Sequence, residues 1–259
     1  MNTVQLHHRH NGEGRPVIVL HGLFGSSRNW YSMAKKLSEH CRVITVDLRN
    51  HGLSAHTDTM NYPEMADDVL ALAEQLGLPT YSVIGHSMGG KVAMHMALAR
   101  PDVIDNLVVL DIAPVEYRYR YGKIFTAMKQ LPLNTIKNRD EAEALFCPTI
   151  GDRILCRFLL QNLVRTGNSF TWRINLPVLE NNIDRIADFP EFPPSQHFDG
   201  PSLFLGGSQS GFIVNDHLPV INQLFPSADI QWLEQAGHML HVEQPDAVFD
   251  KIIQFINHR

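Results

Sequence analysis

Short runs of consecutive apolar residues alternate along this chain with stretches in which apolar positions return every three or four residues. Val17-Ile18-Val19-Leu20 ends in His21-Gly22, and Val43-Ile44-Thr45-Val46 ends in Asp47. Both predict buried parallel strands, because a strand covered on both faces has no polar side. Between Asn61 and Gly77 the residues Met65, Val69, Leu72 and Leu76 recur with helical spacing. Asn61, with Glu64 three residues on, marks the start of that helix; Gly77 and Pro79 mark its end. Tyr81-Ser82-Val83-Ile84 predicts a third strand. It is followed without a polar loop by the small-residue segment Gly89 to Arg100, read as a helix halted by Pro101. Leu107 to Leu110 makes a fourth strand that ends at Asp111.

Strands alternating with helices predict an α/β fold, a mostly parallel sheet with helices on both faces. The alternation returns near the end, with strands at Ser202 to Leu205 and Ile230 to Leu233. A last helix follows, with Val248, Phe249, Ile252, Ile253 and Ile256 on one face. In between, roughly Val115 to Asp199 lacks strand-like runs. It carries helical patterns instead, such as Ile154, Leu155, Phe158, Leu159 and Leu163, separated by Pro132, Pro148 and Pro177. The expected organisation is a core of residues 1–114 and 200–259 interrupted by a helical cap, 115–199, with the Pro-rich stretch Phe189 to Pro194 as its return linker. A chain of 259 residues is a little larger than one core comfortably grows, which suits one domain with an insertion.

Composition narrows the partners. With 22 basic against 27 acidic residues the formal charge is −5, so no basic field draws nucleic acid, and a small molecule is the expected partner. No stretch approaches the roughly 18 apolar residues of a membrane span. Met1 to His10 is polar, with His7, His8 and His10 read as part of a polar tail and no export signal visible. Cys41, Cys147 and Cys156 stand far apart without a C-x-x-C pair. That predicts reduced thiols and a cytoplasmic protein rather than a disulfide framework or a zinc site.

Gly85-His86-Ser87-Met88-Gly89, between a predicted strand and a predicted helix, has the pattern and the context of a nucleophile elbow. The tight turn thrusts the Ser87 hydroxyl above the sheet, and glycines two positions either side let strand and helix approach. The ordinary alternative is a Gly-rich connection around a buried serine. A serine hydroxyl is a weak nucleophile at neutral pH and needs a histidine base. His238, in the loop after the last predicted strand, is the candidate, with His241 as its competitor; His95 and His217 read as structural. An oxyanion needs two backbone N–H donors. Met88 supplies one, and Leu23, in His21-Gly22-Leu23-Phe24-Gly25, is preferred over Phe24 for the other.

The acid is harder to place. In this architecture it usually follows the strand that resumes the sheet, yet Leu205 to Phe212 holds no carboxylate. Asp111 ends the strand next after the nucleophile strand, so it emerges at the same carboxyl edge, where ligand sites of open α/β sheets lie. Its alternative use is to cap the turn through Ala113-Pro114, and Asp216 is the other candidate acid.

These segments, together with Asp47-Leu48-Arg49-Asn50-His51-Gly52-Leu53-Ser54 and Gly237-His238, resemble the α/β-hydrolase family in order and spacing over nearly the whole chain. Asp111-Ile112-Ala113-Pro114-Val115, Trp172-Arg173-Ile174-Asn175 and Gly206-Gly207-Ser208 are similar to the YbfF-type esterases, whose acid is likewise shifted to the strand after the nucleophile strand. The resemblance implies hydrolysis of carboxylic esters or acyl thioesters with no cofactor or metal, only water. Serine at position 87 counts against the dehalogenases and epoxide hydrolases of the fold. Asp47 and Arg49 are expected to pair with each other in a structural role. Carbon–carbon bond hydrolysis, perhydrolysis and a non-catalytic ligand receptor remain open as alternatives. The cap residues Phe125, Met128, Phe146, Phe158 and Trp172 either line an acyl pocket or form the cap's own core.

Overall fold

The structure is a computed structural model that describes residues 3–117, 121–193 and 195–257. Pro194, the end of the expected return linker, lies outside the described residues, as do Met1 and Asn2 of the expected polar tail. The chain opens with β1 (His8–Asn11) and β2 (Pro16–Leu20), then α1 (Tyr31–Leu37), β3 (Arg42–Val46), α2 (Tyr62–Gln75), β4 (Tyr81–His86), α3 (Met88–Ala99) and β5 (Ile104–Leu110). After β5 it leaves the sheet for α4 (Gly122–Gln130), α5 (Arg139–Ile150), α6 (Arg153–Leu160), β6 (Leu163–Thr166), β7 (Ser169–Trp172), α7 (Leu176–Asn181) and α8 (Ile183–Ala187). It returns with β8 (Ser202–Gly207), α9 (Leu218–Leu224), β9 (Ala228–Leu233), α10 (Leu240–Glu243) and α11 (Pro245–Asn257).

Seven strands form one sheet in the order β1-β3-β2-β4-β5-β8-β9, parallel except for β1. The strand period of two separates the core into layers. Val17 and Val19 of β2 face α1 and α11, packing with Met33, Leu37, Val248 and Ile252, whereas Ile18 and Leu20 face the side of α2 and α3 with Met65, Val69 and Val92. Helix α2 begins as its sequence predicts: the Asn61 side chain accepts the Glu64 N–H at 2.9 Å, and Gly77 just past the end is left-handed.

Four expectations need correction. His8 and His10 belong to the edge strand β1, paired antiparallel with β3, so this part of the chain is not a loose polar tail. Its polarity is that of an edge strand whose own side chains are half-buried or exposed. The inserted segment contains an antiparallel hairpin, β6 with β7. Leu163 continues the apolar face of α6 in the sequence but lies past its end at Leu160, in the hairpin's first strand. Cys147 and Cys156 are not reduced thiols but form a disulfide, because the break at Gly151-Asp152 folds α6 back on α5 and brings their Cα atoms to 5.3 Å. Cys41 is free and buried, which raises its thiol pKa to about 11. Asp47 and Arg49 do not pair with each other: Asp47 accepts the N–H groups of Ser27 (2.6 Å) and Leu53 (2.8 Å), while Arg49 binds Asp68 through Nε (2.7 Å) and a second nitrogen (3.0 Å) and reaches Glu64 at 2.8 Å. Among the described residues no helix is long and apolar enough to cross a membrane.

Candidate active site

Register places the site. In the β4–β5 pair His86 stands opposite Leu110, and in β5–β8 Leu110 stands opposite Leu205. Ser87 and Asp111 therefore leave the sheet side by side at its carboxyl edge, next to the end of β8 at Gly206-Gly207. The turn after β4 is tight: Ser87 sits at φ 52°, ψ −121°, a region that a side chain occupies only when its surroundings enforce it. A Cβ on Gly85 would lie 2.1 Å from the Gly89 carbonyl oxygen, and one on Gly89 would lie 2.6 Å from the carbonyl oxygens of Leu20 and His21. Only glycine at both positions lets α3 start this close to the sheet.

The Ser87 hydroxyl donates to His238 Nε2 at 3.1 Å, and His238 Nδ1 donates to Asp111 Oδ2 at 2.7 Å. This pairing requires the ring proton on Nδ1, leaving Nε2 as the acceptor. Asp111 is wholly buried, yet both carboxylate oxygens are satisfied. Oδ1 accepts the Gly207 N–H at 3.0 Å, and Oδ2 also accepts the Ser210 hydroxyl. The end of β8 and the turn after it, which carry no carboxylate, thus supply two donors to a carboxylate arriving from the neighbouring strand. Asp216, the other candidate acid, is exposed in the turn Asn215–His217.

The imidazole is held from several sides. Phe212 stacks on it with ring centroids 3.9 Å apart, and the His86 ring donates from Nε2 to the His238 carbonyl at 2.8 Å. The Glu243 carboxylate accepts the N–H groups of Gly237 (2.6 Å) and Met239 (3.1 Å), gripping the loop on both sides of His238. His241 stacks on Trp30 behind the site, centroids 4.7 Å apart, and its burial pulls its pKa down to about 3. Burial likewise holds His86 well below the ordinary range. Both rings stay neutral beside His238. Phe212, Ser210, His86 and Glu243 were not singled out by sequence reasoning; the Glu243 position, five residues after His238 at the end of a short helix, was the one local hint.

The Phe24 N–H is spent on His51 Nε2 at 3.2 Å. The N–H groups of Leu23 and Met88 donate to no protein acceptor among the described residues. A cavity of about 340 Å³ opens over Ser87 and His238, walled by Leu23, Phe24, Tyr121, Ile124, Leu155 and Phe158. Among the described residues its charged lining side chains are Asp152 and Glu243, and Ile154, 61% exposed, stands at its mouth. Of the five cap side chains considered as pocket walls, Phe158 lines this cavity. Phe125, Met128 and Phe146 are buried in the core, and Trp172 packs against it with its indole N–H on the Met128 carbonyl.

A model of the α/β hydrolase fold matches residues 15–245. The chain belongs to the α/β hydrolase family. It is 39% identical over 253 residues to the sn-1-specific diacylglycerol lipase ABHD11 of Danio rerio, covering 95% of this chain and 79% of that protein. It is 35% identical over 250 residues to the esterase YbfF of Escherichia coli (strain K12), covering 96% and 95%. A solved structure described as a marine microorganism esterase superposes with a TM-score of 0.94 at 37% identity, over 98% of this chain and 100% of that one.

Proposed function

We propose that this carboxylic ester hydrolase works by a two-step acyl transfer through Ser87. The observation that carries the reading is the continuous hydrogen-bonded line from Ser87 Oγ through His238 to the buried Asp111. Ser87 attacks the ester carbonyl while His238 Nε2 takes its proton. The Leu23 and Met88 N–H groups receive the oxyanion, with Met88 aided by its place at the start of α3. His238 returns the proton to the departing alcohol, and a water activated by the same imidazole releases the acid. Asp111 stays ionised, keeps the imidazole in the reactive tautomer and stabilises its positive charge.

An uncharged substrate suits the cavity best. Among the described residues its walls are mostly apolar and its charged lining side chains are acidic, so there the polyphosphate of an acyl-CoA thioester meets like charge where a neutral alcohol does not. Esters of neutral alcohols are therefore the favoured class over CoA thioesters; the ABHD11 relatives are named for a neutral lipid. The inserted segment, 115–199, serves as the lid over this cavity.

Turnover of p-nitrophenyl acetate by wild type and Ser87→Ala, run beside acetyl-CoA, tests the reading. The ester is hydrolysed, the variant loses at least ~10⁴-fold in kcat, and the CoA thioester is the poorer substrate. Ester turnover that survives Ser87→Ala would overturn the mechanism, and a preference for acetyl-CoA would overturn the substrate class.

A further inference from the structure

Lys91 is not used by the chemistry above, yet it is among the most deeply buried charges in the molecule, 1% exposed in the first turn of α3. Its Nζ lies 2.7 Å from the Val115 carbonyl, 2.8 Å from that of Ala187 and 2.7 Å from that of Asp188. Val115 is where the chain leaves the sheet after β5, and Ala187 and Asp188 are where α8 ends and the chain heads back to β8. One ammonium group thus binds both roots of the inserted segment to the helix that begins beside Ser87. The rings of Tyr117 and Tyr62 flank it at 4.8 and 5.7 Å. Taking an ammonium out of water is costly even with all three donors satisfied. The cost shows in its pKa, which burial draws down to about 7 although Asp188 and Glu116 pull it the other way. A leucine or methionine would fill the space without that penalty.

A second, narrow compartment of about 10 Å³ also opens at Ser87, walled by Lys91, Tyr62, Tyr117, Ile112, Ile186 and Met88. It has room for about one water-sized group. His238 lines the large cavity and not this one. A departing alcohol has to lie within reach of His238 to be protonated, so the alcohol side of the ester belongs in the large cavity. The acyl side then points into the narrow compartment.

We propose that Lys91 is a positioning residue that sets acyl-chain specificity: by tying down both roots of the inserted segment it keeps the narrow compartment closed, so the enzyme prefers esters of short acids such as acetate. This rests on Ser87 being the nucleophile. The Lys91 contacts extend to the imidazole as well, because the Tyr117 hydroxyl donates to the Phe212 carbonyl and accepts the Ala113 N–H, and Phe212 is the ring stacked on His238.

The test is the kcat/KM profile over p-nitrophenyl acetate, butyrate, hexanoate and octanoate for wild type, Lys91→Met, Lys91→Gln and Ile186→Ala. Wild type should favour acetate over octanoate at least ~10-fold. Lys91→Met and Ile186→Ala should flatten that preference about ten-fold, chiefly through KM for the longer esters. Lys91→Gln, which keeps an amide donor, should fall in between. Hydrogen exchange at residues 113–117 and 185–188 should quicken in Lys91→Met while β4 and β5 keep their protection. A wild type that takes octanoate as readily as acetate would overturn the proposal. So would variants that only lower Tm and leave the chain-length profile and the exchange at both roots unchanged. Should Lys91→Met fail to fold, Lys91→Gln and Ile186→Ala decide the matter. Labelling of wild-type Ser87 by a fluorophosphonate separates the two readings: no label and no turnover would be a failure of the nucleophile itself, whereas a labelled, active enzyme with a flat profile would be a failure of the Lys91 role alone.

Discussion

Asp111 shows how a single side chain can be recruited from a neighbouring strand. Its backbone sits at φ 50°, an uncommon conformation for a residue with a side chain. Its N–H stays bonded to the Leu205 carbonyl at 2.9 Å, so the carboxylate turns toward His238 while the strand pairing continues. Asp111→Asn leaves the shape intact but removes the charge that stabilises the imidazolium and disturbs the tautomer, and kcat should fall about 10³- to 10⁴-fold. Asp216→Asn, in an exposed turn, should stay near wild type. Steady-state kinetics on an aryl ester checks both; a large loss in the second variant with little in the first would move the acid to Asp216. The roles proposed for Ser87, His238 and Asp111 could be suggested from the sequence because each lies directly at or just after the end of a recognisable strand. Phe212, Ser210 and Glu243 could not, since a stacking ring, a hydroxyl donor and a carboxylate holding two backbone N–H groups look in sequence like any residues of a polar loop. The expected Asp47–Arg49 pair went wrong for a related reason. Two residues apart in the chain, they find their partners from α2 and the loops, which no local spacing reveals.

Elements were legible where their boundaries carry chemistry. The buried runs of β2 to β5 and β8, and the caps of α2, are local signals that packing reinforces. Helix α1 and the short α10 lack such marks, and the β6–β7 hairpin is too short, with Arg165 and Thr166 facing solvent, to stand out from the helices around it. The disulfide depends on two helices meeting, which a spacing of nine residues does not announce. Two measurements belong at this scale. The Asp152 side chain caps α6 by accepting the N–H groups of Ile154 (2.8 Å) and Leu155 (3.1 Å). Asp152→Ala should therefore cost about 1 kcal/mol in denaturant unfolding. Closing a loop of nine residues limits the unfolded chain, and the Cys147→Ser, Cys156→Ser double variant should lose about 2.5 kcal/mol by the loop-entropy relation. An unchanged unfolding midpoint for the double variant would contradict the pairing.

At the level of the whole molecule, the carboxyl edge of the sheet collects groups from residues 23 to 243 into one cavity, and the molecule surrounds it with neutral imidazoles. His51 and His241 are buried, and each has a pKa of about 3 against an ordinary 6.5, with burial as the main cause. The unfolded chain takes up protons below pH 6.5 that these rings refuse in the fold. The stability they contribute is therefore complete above that pH and lost progressively as pH falls toward 3. By pH 5 each should cost about 2 kcal/mol relative to pH 7.5, measurable as a fall in the denaturant midpoint. A midpoint that does not move between those pH values would contradict their burial as neutral rings. The chemistry proposed for the assembled site makes one demand that no static arrangement can satisfy on its behalf: during turnover of an aryl ester, the acyl group has to reside covalently on Ser87. Rapid quenching of the wild-type enzyme with p-nitrophenyl acetate in excess, followed by peptide mass spectrometry, reads this directly. An added acetyl mass on the peptide containing Ser87, absent when His238 is changed to alanine, is the expected result. Rapid ester turnover with that peptide unmodified, or with the acetyl group found on another residue, would contradict it.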